Sequence, residues 1–224
     1  SIVLDPLMTA RVYAGTAGGG VHRTTNSGSS WTTANSGLTN LNIYTLLLDP
    51  FDSQTLYAGS FGGGVYRSFD GALSWAPASD GLTDLYVLAL AANPVQPRIL
   101  YAGTYGSGVF QSTDGGGSWQ EVNPGLEDGW VRALLVDPDE PQTVYAGTCG
   151  QGIFACSFYA AGDLNVDFTV GAADLGILIN HLAGQLGPGT PPFDAPASSA
   201  DFSPDGFVDA ADLSALAAHL AGNN

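Results

Sequence analysis

Two stretches near the carboxyl end place oxygen-bearing side chains in the same twelve-residue frame. The first frame begins at Asp163, and the second begins 38 residues later at Asp201. Side-chain oxygens occupy positions 1, 3, 5 and 12 of each frame, and a backbone carbonyl is available at position 7. Because alternate residues of a tight loop point inward, hard oxygen ligands at this spacing suit Ca²⁺ better than a soft metal. The predicted metal ligands are Asp163, Asn165, Asp167, Thr169 and Asp174 in the first loop, and Asp201, Ser203, Asp205, Phe207, Asp209 and Asp212 in the second.

The second loop is the more complete of the two. Its sixth position is Gly206, which can make the sharp turn of a calcium loop, and its ninth is Asp209. The first loop has Phe168 and Gly171 at these positions, so it lacks both the turn glycine and a side-chain ligand. We therefore predict two Ca²⁺ sites, of which the second binds more tightly. Leu at positions i, i+3 and i+7 after each loop predicts a helix with one apolar stripe.

This duplicated loop–helix module resembles a dockerin. The resemblance implies calcium-dependent docking to a cohesin domain on a scaffold protein or cell surface, and an extracellular place in polysaccharide breakdown. In this family, loop positions ten and eleven help to recognise the partner. The resemblance therefore assigns partner binding to the residues at these positions, which are Ala172 and Ala173 in the first loop and Ala210 and Ala211 in the second. These identical Ala pairs leave the class of cohesin open.

The preceding part of the chain repeats with a period of 44 residues. The tripeptide Tyr-Ala-Gly recurs at this step, and so does a Trp that follows it. Each unit reads as four short strands, and such a period with several strands per unit indicates a β-propeller or a related array. The first strand of each unit is a nearly continuous apolar run, which predicts an inner strand buried on both faces. These runs are 44–48, 87–91 and 131–136.

A polar turn precedes the Trp of each unit. Asp70 and Asp114 lie five residues before Trp75 and Trp119, and Asn26 takes this place in the first unit. Such a side chain can accept hydrogen bonds from backbone N–H groups two residues on, and the Trp then packs into the core. The motif resembles the Asp-box of bacterial-neuraminidase-type repeats, which implies propeller blades over residues 1–158. A catalytic carboxylate pair must converge on one site, so these once-per-blade carboxylates are expected to be structural.

We therefore predict a mainly β chain with a small α module. Residues 1–158 are expected to form Asp-box β-propeller blades, three complete and part of a fourth, and residues 159–224 the dockerin-like module. An incomplete array leaves open strand edges, which soluble proteins avoid. Either further blades precede Ser1, which we favour, or a small four-bladed ring closes imperfectly.

Composition excludes several classes of function. The formal net charge is −16, with 21 acidic and five basic residues. A nucleic-acid partner and attraction to an anionic membrane are both excluded on this ground, since each requires a basic surface. No apolar run is long enough for a membrane-spanning helix. Cys149 and Cys156 flank a predicted hairpin, and either a cross-strand disulfide or two buried free thiols would fit.

The pattern favours a non-catalytic extracellular binding or scaffold protein, and no catalytic residue is assigned. The alternative is a fragment of a glycoside hydrolase, xyloglucanase-like or sialidase-like, whose catalytic residues lie largely outside this chain. A surface adhesion or sortilin-like binding protein is a third possibility. Rim aromatics could stack on the sugar rings of a polysaccharide, but packing between blades is the favoured interpretation for Tyr86, Tyr105 and Trp130.

Overall fold

The computed structural model describes residues 1–157 except 124 and 127. Within these residues there is no helix, and fifteen strands form four antiparallel sheets. The first sheet contains β1 (Ile2–Leu4), β2 (Val12–Thr16), β3 (Gly20–Thr24) and β4 (Thr32–Thr33), and the second contains β5 (Ile43–Leu48), β6 (Leu56–Ser60), β7 (Gly64–Ser68) and β8 (Ala76–Pro77). The third contains β9 (Val87–Ala92), β10 (Leu100–Thr104), β11 (Val109–Ser112) and β12 (Gln120–Glu121), and the fourth contains β13 (Val131–Val136), β14 (Thr143–Thr148) and β15 (Ile153–Ser157).

The strand registers repeat with the period of the sequence. Each sheet is a meander in which every strand pairs with the next one along the chain. Tyr13 pairs with Arg23, Tyr57 with Arg67 and Tyr101 with Gln111, so the pairing of second and third strands recurs in the first three sheets. The fourth strand, where described, has only two residues. The first three sheets each have the four strands predicted for one repeat, and the fourth has three among the described residues.

The apolar core lies between consecutive sheets. Tyr13, Val21 and Ala34 of the first sheet pack against Leu46 and Leu48 of the second. The second and third sheets meet through the equivalent residues of the next repeat. Each sheet therefore covers one face of the sheet that follows it, as blades do in a propeller.

The polar turn before the Trp has the geometry expected from its sequence. Oδ1 of Asp70 accepts hydrogen bonds of 2.9 Å from the backbone N–H groups of Leu73 and Ser74. Oδ1 of Asp114 does the same for Gly117 and Ser118, at 2.7 and 2.9 Å. The carboxylates therefore hold the turn together, which agrees with a structural role.

Burial of the first strands and of the Trp residues differs from the prediction in part. Trp75 and Trp119 are buried, but the side chain of Trp31 is 43% exposed because no described sheet precedes the first one. The first strands are not buried on both faces throughout, since Tyr44 of β5 is 48% exposed.

Of the two alternatives proposed for the cysteines, the disulfide is wrong, and the free thiols are right in their bonding but not in their burial. Cys149 and Cys156 are free thiols, and Cys149 is exposed while Cys156 is half-buried. In the β14–β15 pairing, Cys156 stands opposite Val144, whereas Cys149 lies beyond the end of β14. The register therefore separates the two thiols.

Candidate functional site

Five aromatic side chains form a continuous series of ring contacts from the second sheet to the fourth. We call this series the aromatic track; its members are Tyr44, Phe61, Tyr86, Tyr105 and Trp130. The ring centroids of Tyr44 and Phe61 are 5.1 Å apart with the rings stacked. Phe61 meets Tyr86 edge-on at 4.7 Å, and Tyr105 lies 4.4 Å from Trp130. These spacings are those of interacting aromatic pairs.

Four of the five track residues come from two positions of the repeat, and the fifth, Tyr44, lies within β5. Phe61 and Tyr105 follow the second strands β6 and β10, and Tyr86 and Trp130 precede the first strands β9 and β13. In an antiparallel meander, the end of a second strand and the start of a first strand lie at the same edge of the sheet. The turns that contain Asp70 and Asp114 lie at the opposite edge, because they connect third strands to fourth strands.

Two carboxylates fix the backbone beneath the track. Asp128 accepts hydrogen bonds from the N–H groups of Trp130 at 2.9 Å and Gly150 at 2.7 Å. Asp84 makes the equivalent bonds to Tyr86 and Gly106, both at 2.9 Å. The backbone hydrogen bond from Trp130 is the largest cause of a lowered pKa for the Asp128 carboxyl. Both carboxylates therefore hold the loops that carry the aromatic rings.

The track lines an open cleft of about 510 Å³. The cleft is bordered by four track residues, Leu88 and Arg132, and none of these is acidic. Tyr44, Tyr86 and Tyr105 are 48, 46 and 44% exposed. The indole Nε1–H of Trp130 is buried without a hydrogen-bond partner among the described residues. The guanidinium of Arg132 lies 5.0 Å from the centroid of the Trp130 ring.

This site offers exposed aromatic ring faces and one cation, Arg132, whereas the indole Nε1–H is shut off from the cleft by its burial. A ligand with flat apolar faces edged by hydroxyl groups would satisfy both features. The preference for packing between blades is only partly right for Tyr86 and Tyr105, which contact other rings yet remain nearly half exposed. The sequence analysis does not predict Tyr44, Phe61 or Arg132 as site residues. The repeat itself could have identified Phe61, because Phe61 lies one repeat before Tyr105.

The predicted calcium and partner-binding residues lie outside the described residues. Among the residues described between 1 and 157, no group of three or more His, Cys, Asp or Glu side chains is placed to hold a metal ion. The same part of the chain contains no helix able to cross a membrane. The residues concerned are Asp163, Asn165, Asp167, Thr169, Ala172, Ala173, Asp174, Asp201, Ser203, Asp205, Phe207, Asp209, Ala210, Ala211 and Asp212.

Comparison with known proteins gives a separate likeness for each of two parts of the chain. Residues 161–221 match the family model of the dockerin type I domain. The sheets resemble those of GH74 enzymes, which share a mainly β, propeller-type fold. A search of curated proteins gives no match.

Three solved structures illustrate the likeness of the sheets to GH74 enzymes. An ancestral GH74 enzyme is 26% identical with a TM-score of 0.61, over 69% of this chain and 22% of that one. A GH74 enzyme from Niastella koreensis is 24% identical with a TM-score of 0.56, over 70% and 27%. The GH74 xyloglucanase from Xanthomonas campestris is 17% identical with a TM-score of 0.54, over 70% and 28%. The chain therefore spans about a quarter of the length of these enzymes.

Proposed function

We propose that this protein is an extracellular, non-catalytic component of polysaccharide breakdown that docks to a cohesin domain and presents a glycan-binding set of propeller blades. The observation that carries the proposal is the dockerin type I match at residues 161–221. Type I dockerin domains bind calcium, and dockerin domains bind cohesin domains. The proposal assigns docking to residues 159–224 and glycan binding to residues 1–158.

The donor set of the two loops supports calcium as the ion. Every predicted side-chain ligand is a carboxylate, an amide or a hydroxyl, and none is a sulfur or an imidazole. Residues 159–224 contain no Lys or Arg, so bound cations would offset the mutual repulsion of the Asp side chains. In this assignment, the Ala pairs at positions ten and eleven of the loops contact the cohesin.

The aromatic track supports glycan binding by the blades. Sugar rings present apolar C–H faces that pack on aromatic rings, and their hydroxyl groups accept hydrogen bonds. Tyr44 and Tyr105 offer exposed ring surface in the cleft, and the guanidinium of Arg132 offers N–H donors. The track crosses three sheets, which suits an extended polymer better than a compact small molecule.

A fragment of a glycoside hydrolase is the second candidate, and the likeness to GH74 enzymes favours it. Glycoside hydrolysis uses two carboxyl groups that flank the bond to be cleaved. Among the residues that the structure describes, those lining the cleft include no carboxyl group, and Asp84 and Asp128 accept hydrogen bonds from backbone N–H groups. These observations support binding without hydrolysis for this part of the chain.

Titration calorimetry of the full chain with purified cohesin domains tests the docking half. Tight binding in calcium that disappears in chelator is expected, and binding unaffected by chelator would contradict it.

Affinity electrophoresis in xyloglucan and other soluble plant polysaccharides tests the glycan half. Tyr105→Ala should weaken retention about fivefold, from the lost stacking. The control Phe69→Ala removes a 60% exposed ring at the opposite edge and should leave retention unchanged; release of reducing sugar by the wild type would favour the enzyme.

A further inference from the structure

Three residues of the cleft occupy the same position of the repeat. Tyr44, Leu88 and Arg132 follow one another at the repeat distance, and each is the second residue of the first strand of its sheet. All three line the cleft. Tyr44 is 48% exposed although the second sheet packs against both the first and the third. Exposure at this position therefore belongs to the arrangement of the sheets and does not require an open end of the array.

Arg132 is the charged member of this set, and it differs from the other Arg residues in its bonding. The other four each donate a side-chain hydrogen bond to a backbone carbonyl: Arg11, Arg23, Arg67 and Arg98. Within the part of the chain that the structure describes, the guanidinium of Arg132 has neither such a bond nor an acidic partner, and its contact is with the Trp130 ring. Its N–H donors are therefore available to a ligand in the cleft.

The contact with Trp130 holds the guanidinium in place. The guanidinium carbon lies 5.0 Å from the centroid of the ring, which is within the range of a cation–π interaction. Such a contact uses the face of the guanidinium, so the N–H groups in its plane remain free to donate hydrogen bonds. Trp130 is itself fixed by the hydrogen bond from its backbone N–H to Asp128, and its ring lies 4.4 Å from that of Tyr105. The free donors are therefore positioned beside an exposed ring of the track.

We propose that the cleft prefers an acidic polysaccharide, whose sugar rings lie on the exposed tyrosines and whose uronate carboxylate binds Arg132. The proposal rests on the glycan binding proposed above and names the class of glycan. A guanidinium fork matches a carboxylate through two parallel hydrogen bonds, which are stronger than hydrogen bonds between neutral groups. A neutral sugar at the same place leaves the positive charge of Arg132 without a counter-charge. The ligand is therefore a polymer of uronic acid, such as a galacturonan.

The acidic residues beside the track do not take the place of this carboxylate. Asp84 and Asp128 are not among the residues that line the cleft, and each accepts hydrogen bonds from two backbone N–H groups. The formal net charge of −16 repels an acidic polymer at long range. A preference for the acidic form therefore has to come from a short-range contact, and salt that screens the repulsion should not abolish it.

Titration calorimetry of the full chain with short oligogalacturonides, and with the methyl esters of the same oligosaccharides, tests the proposal at one fixed calcium concentration. The ester keeps the sugar rings and removes the negative charge. We expect the acid to bind about fivefold more tightly, which is the size of effect that a partly exposed ion pair gives. Equal affinities, or tighter binding of the ester, would overturn the proposal, and this comparison needs no variant to fold.

Xyloglucan oligosaccharides in the same titrations separate this proposal from the glycan binding on which it rests. If they bind and neither galacturonide does, the preference for an acidic polymer is wrong and glycan binding stands. If no oligosaccharide binds, both proposals fail.

Two variants of one residue and a matched control test the assignment to Arg132. Arg132→Gln should bind the acid and the ester equally, and Arg132→Lys should keep part of the preference because it keeps the charge. The control Arg67→Gln makes the same change in net charge at the opposite edge of a sheet, where the guanidinium lies over the ring of Phe69. It should keep the fivefold preference. A preference that persists in Arg132→Gln, or that Arg67→Gln loses equally, would overturn the assignment.

Discussion

Trp119 and Ala78 join two consecutive sheets through a buried hydrogen bond. The indole Nε1–H of Trp119 donates to the backbone carbonyl of Ala78, 41 residues earlier, at 2.8 Å. Trp75 makes the same bond to Ala34, also at 2.8 Å. In the reverse direction, the hydroxyl of Tyr57 donates to the carbonyl of Gly115. The Asp-containing turn and its Trp therefore connect neighbouring sheets, which explains why the motif recurs in successive units.

Gly81→Ala should destabilise the fold much more than Gly125→Ala. The two residues are one repeat apart and have φ angles of +83° and +72°, so Ala is strained by about 1–2 kcal/mol at both. A Cβ on Gly81 would collide with the carbonyl oxygen of Trp119, whereas no atom of the described residues lies within 4 Å of a Cβ on Gly125. We expect Gly81→Ala to cost about 2 kcal/mol more in the free energy of unfolding, measured by urea denaturation. Equal losses would show that the approach of the sheets is not tight.

Asp114→Asn should reduce the acid sensitivity of the fold. A backbone hydrogen bond from Ser118 is the largest of the causes that hold the pKa of Asp114 at about 2, below its ordinary value of 3.8. A lowered folded-state pKa stabilises the fold above the unfolded value, and this contribution is lost as pH falls from about 4 to about 2. Removing the charge should make the free energy of unfolding depend less on pH across that window.

The first unit has an amide at this place in its natural sequence: Oδ1 of Asn26 accepts a 2.9 Å hydrogen bond from the N–H of Ser30. The variant Asp114→Asn should therefore keep the turn. At neutral pH we therefore expect Asp114→Asn to cost about 1 kcal/mol or less, because the carboxylate is exposed and screened. Denaturation of the wild type and variant between pH 2 and pH 7 measures both effects. If the free energy of unfolding falls with pH as steeply in the variant as in the wild type, Asp114 is not a source of the acid sensitivity.

The sequence repeat predicts the strands, whereas the burial of a side chain depends on whether another sheet packs against it. Trp31 and Trp75 stand at the same place in the repeat, yet Trp31 is 43% exposed and Trp75 only 5%. Position in the array decides this difference, and no local pattern encodes it. Phe61 joins the track because the turn that follows it donates backbone hydrogen bonds to Leu85, which precedes β9. Strand register likewise separates Cys149 from Cys156, and the spacing of the two residues could not reveal that.

Arg132→Met should weaken glycan binding without removing a ring. The variant deletes the guanidinium that lines the cleft beside Trp130 and keeps an apolar side chain. Loss of one hydrogen bond of about 1 kcal/mol corresponds to about fivefold in the dissociation constant, measured by affinity electrophoresis. The matched control is Arg67→Met, whose guanidinium lies 5.2 Å from the ring centroid of Phe69 at the opposite edge of its sheet. It should leave the affinity unchanged, and equal losses in the two variants would remove Arg132 from the site.

Asp201→Ala and Asp212→Ala should weaken calcium binding more than Asp163→Ala. The second loop has the turn glycine Gly206 and the additional carboxylate Asp209, so it is expected to hold its ion more tightly and to lose more when a ligand is deleted. Calcium that binds only the folded form stabilises it, so the variants should also lower the calcium-dependent unfolding temperature in the same order. Titration calorimetry and differential scanning calorimetry, each with and without chelator, measure the two quantities. Equal or reversed losses would overturn the ranking of the loops, and a chain with no calcium-dependent transition would overturn the assignment of both sites.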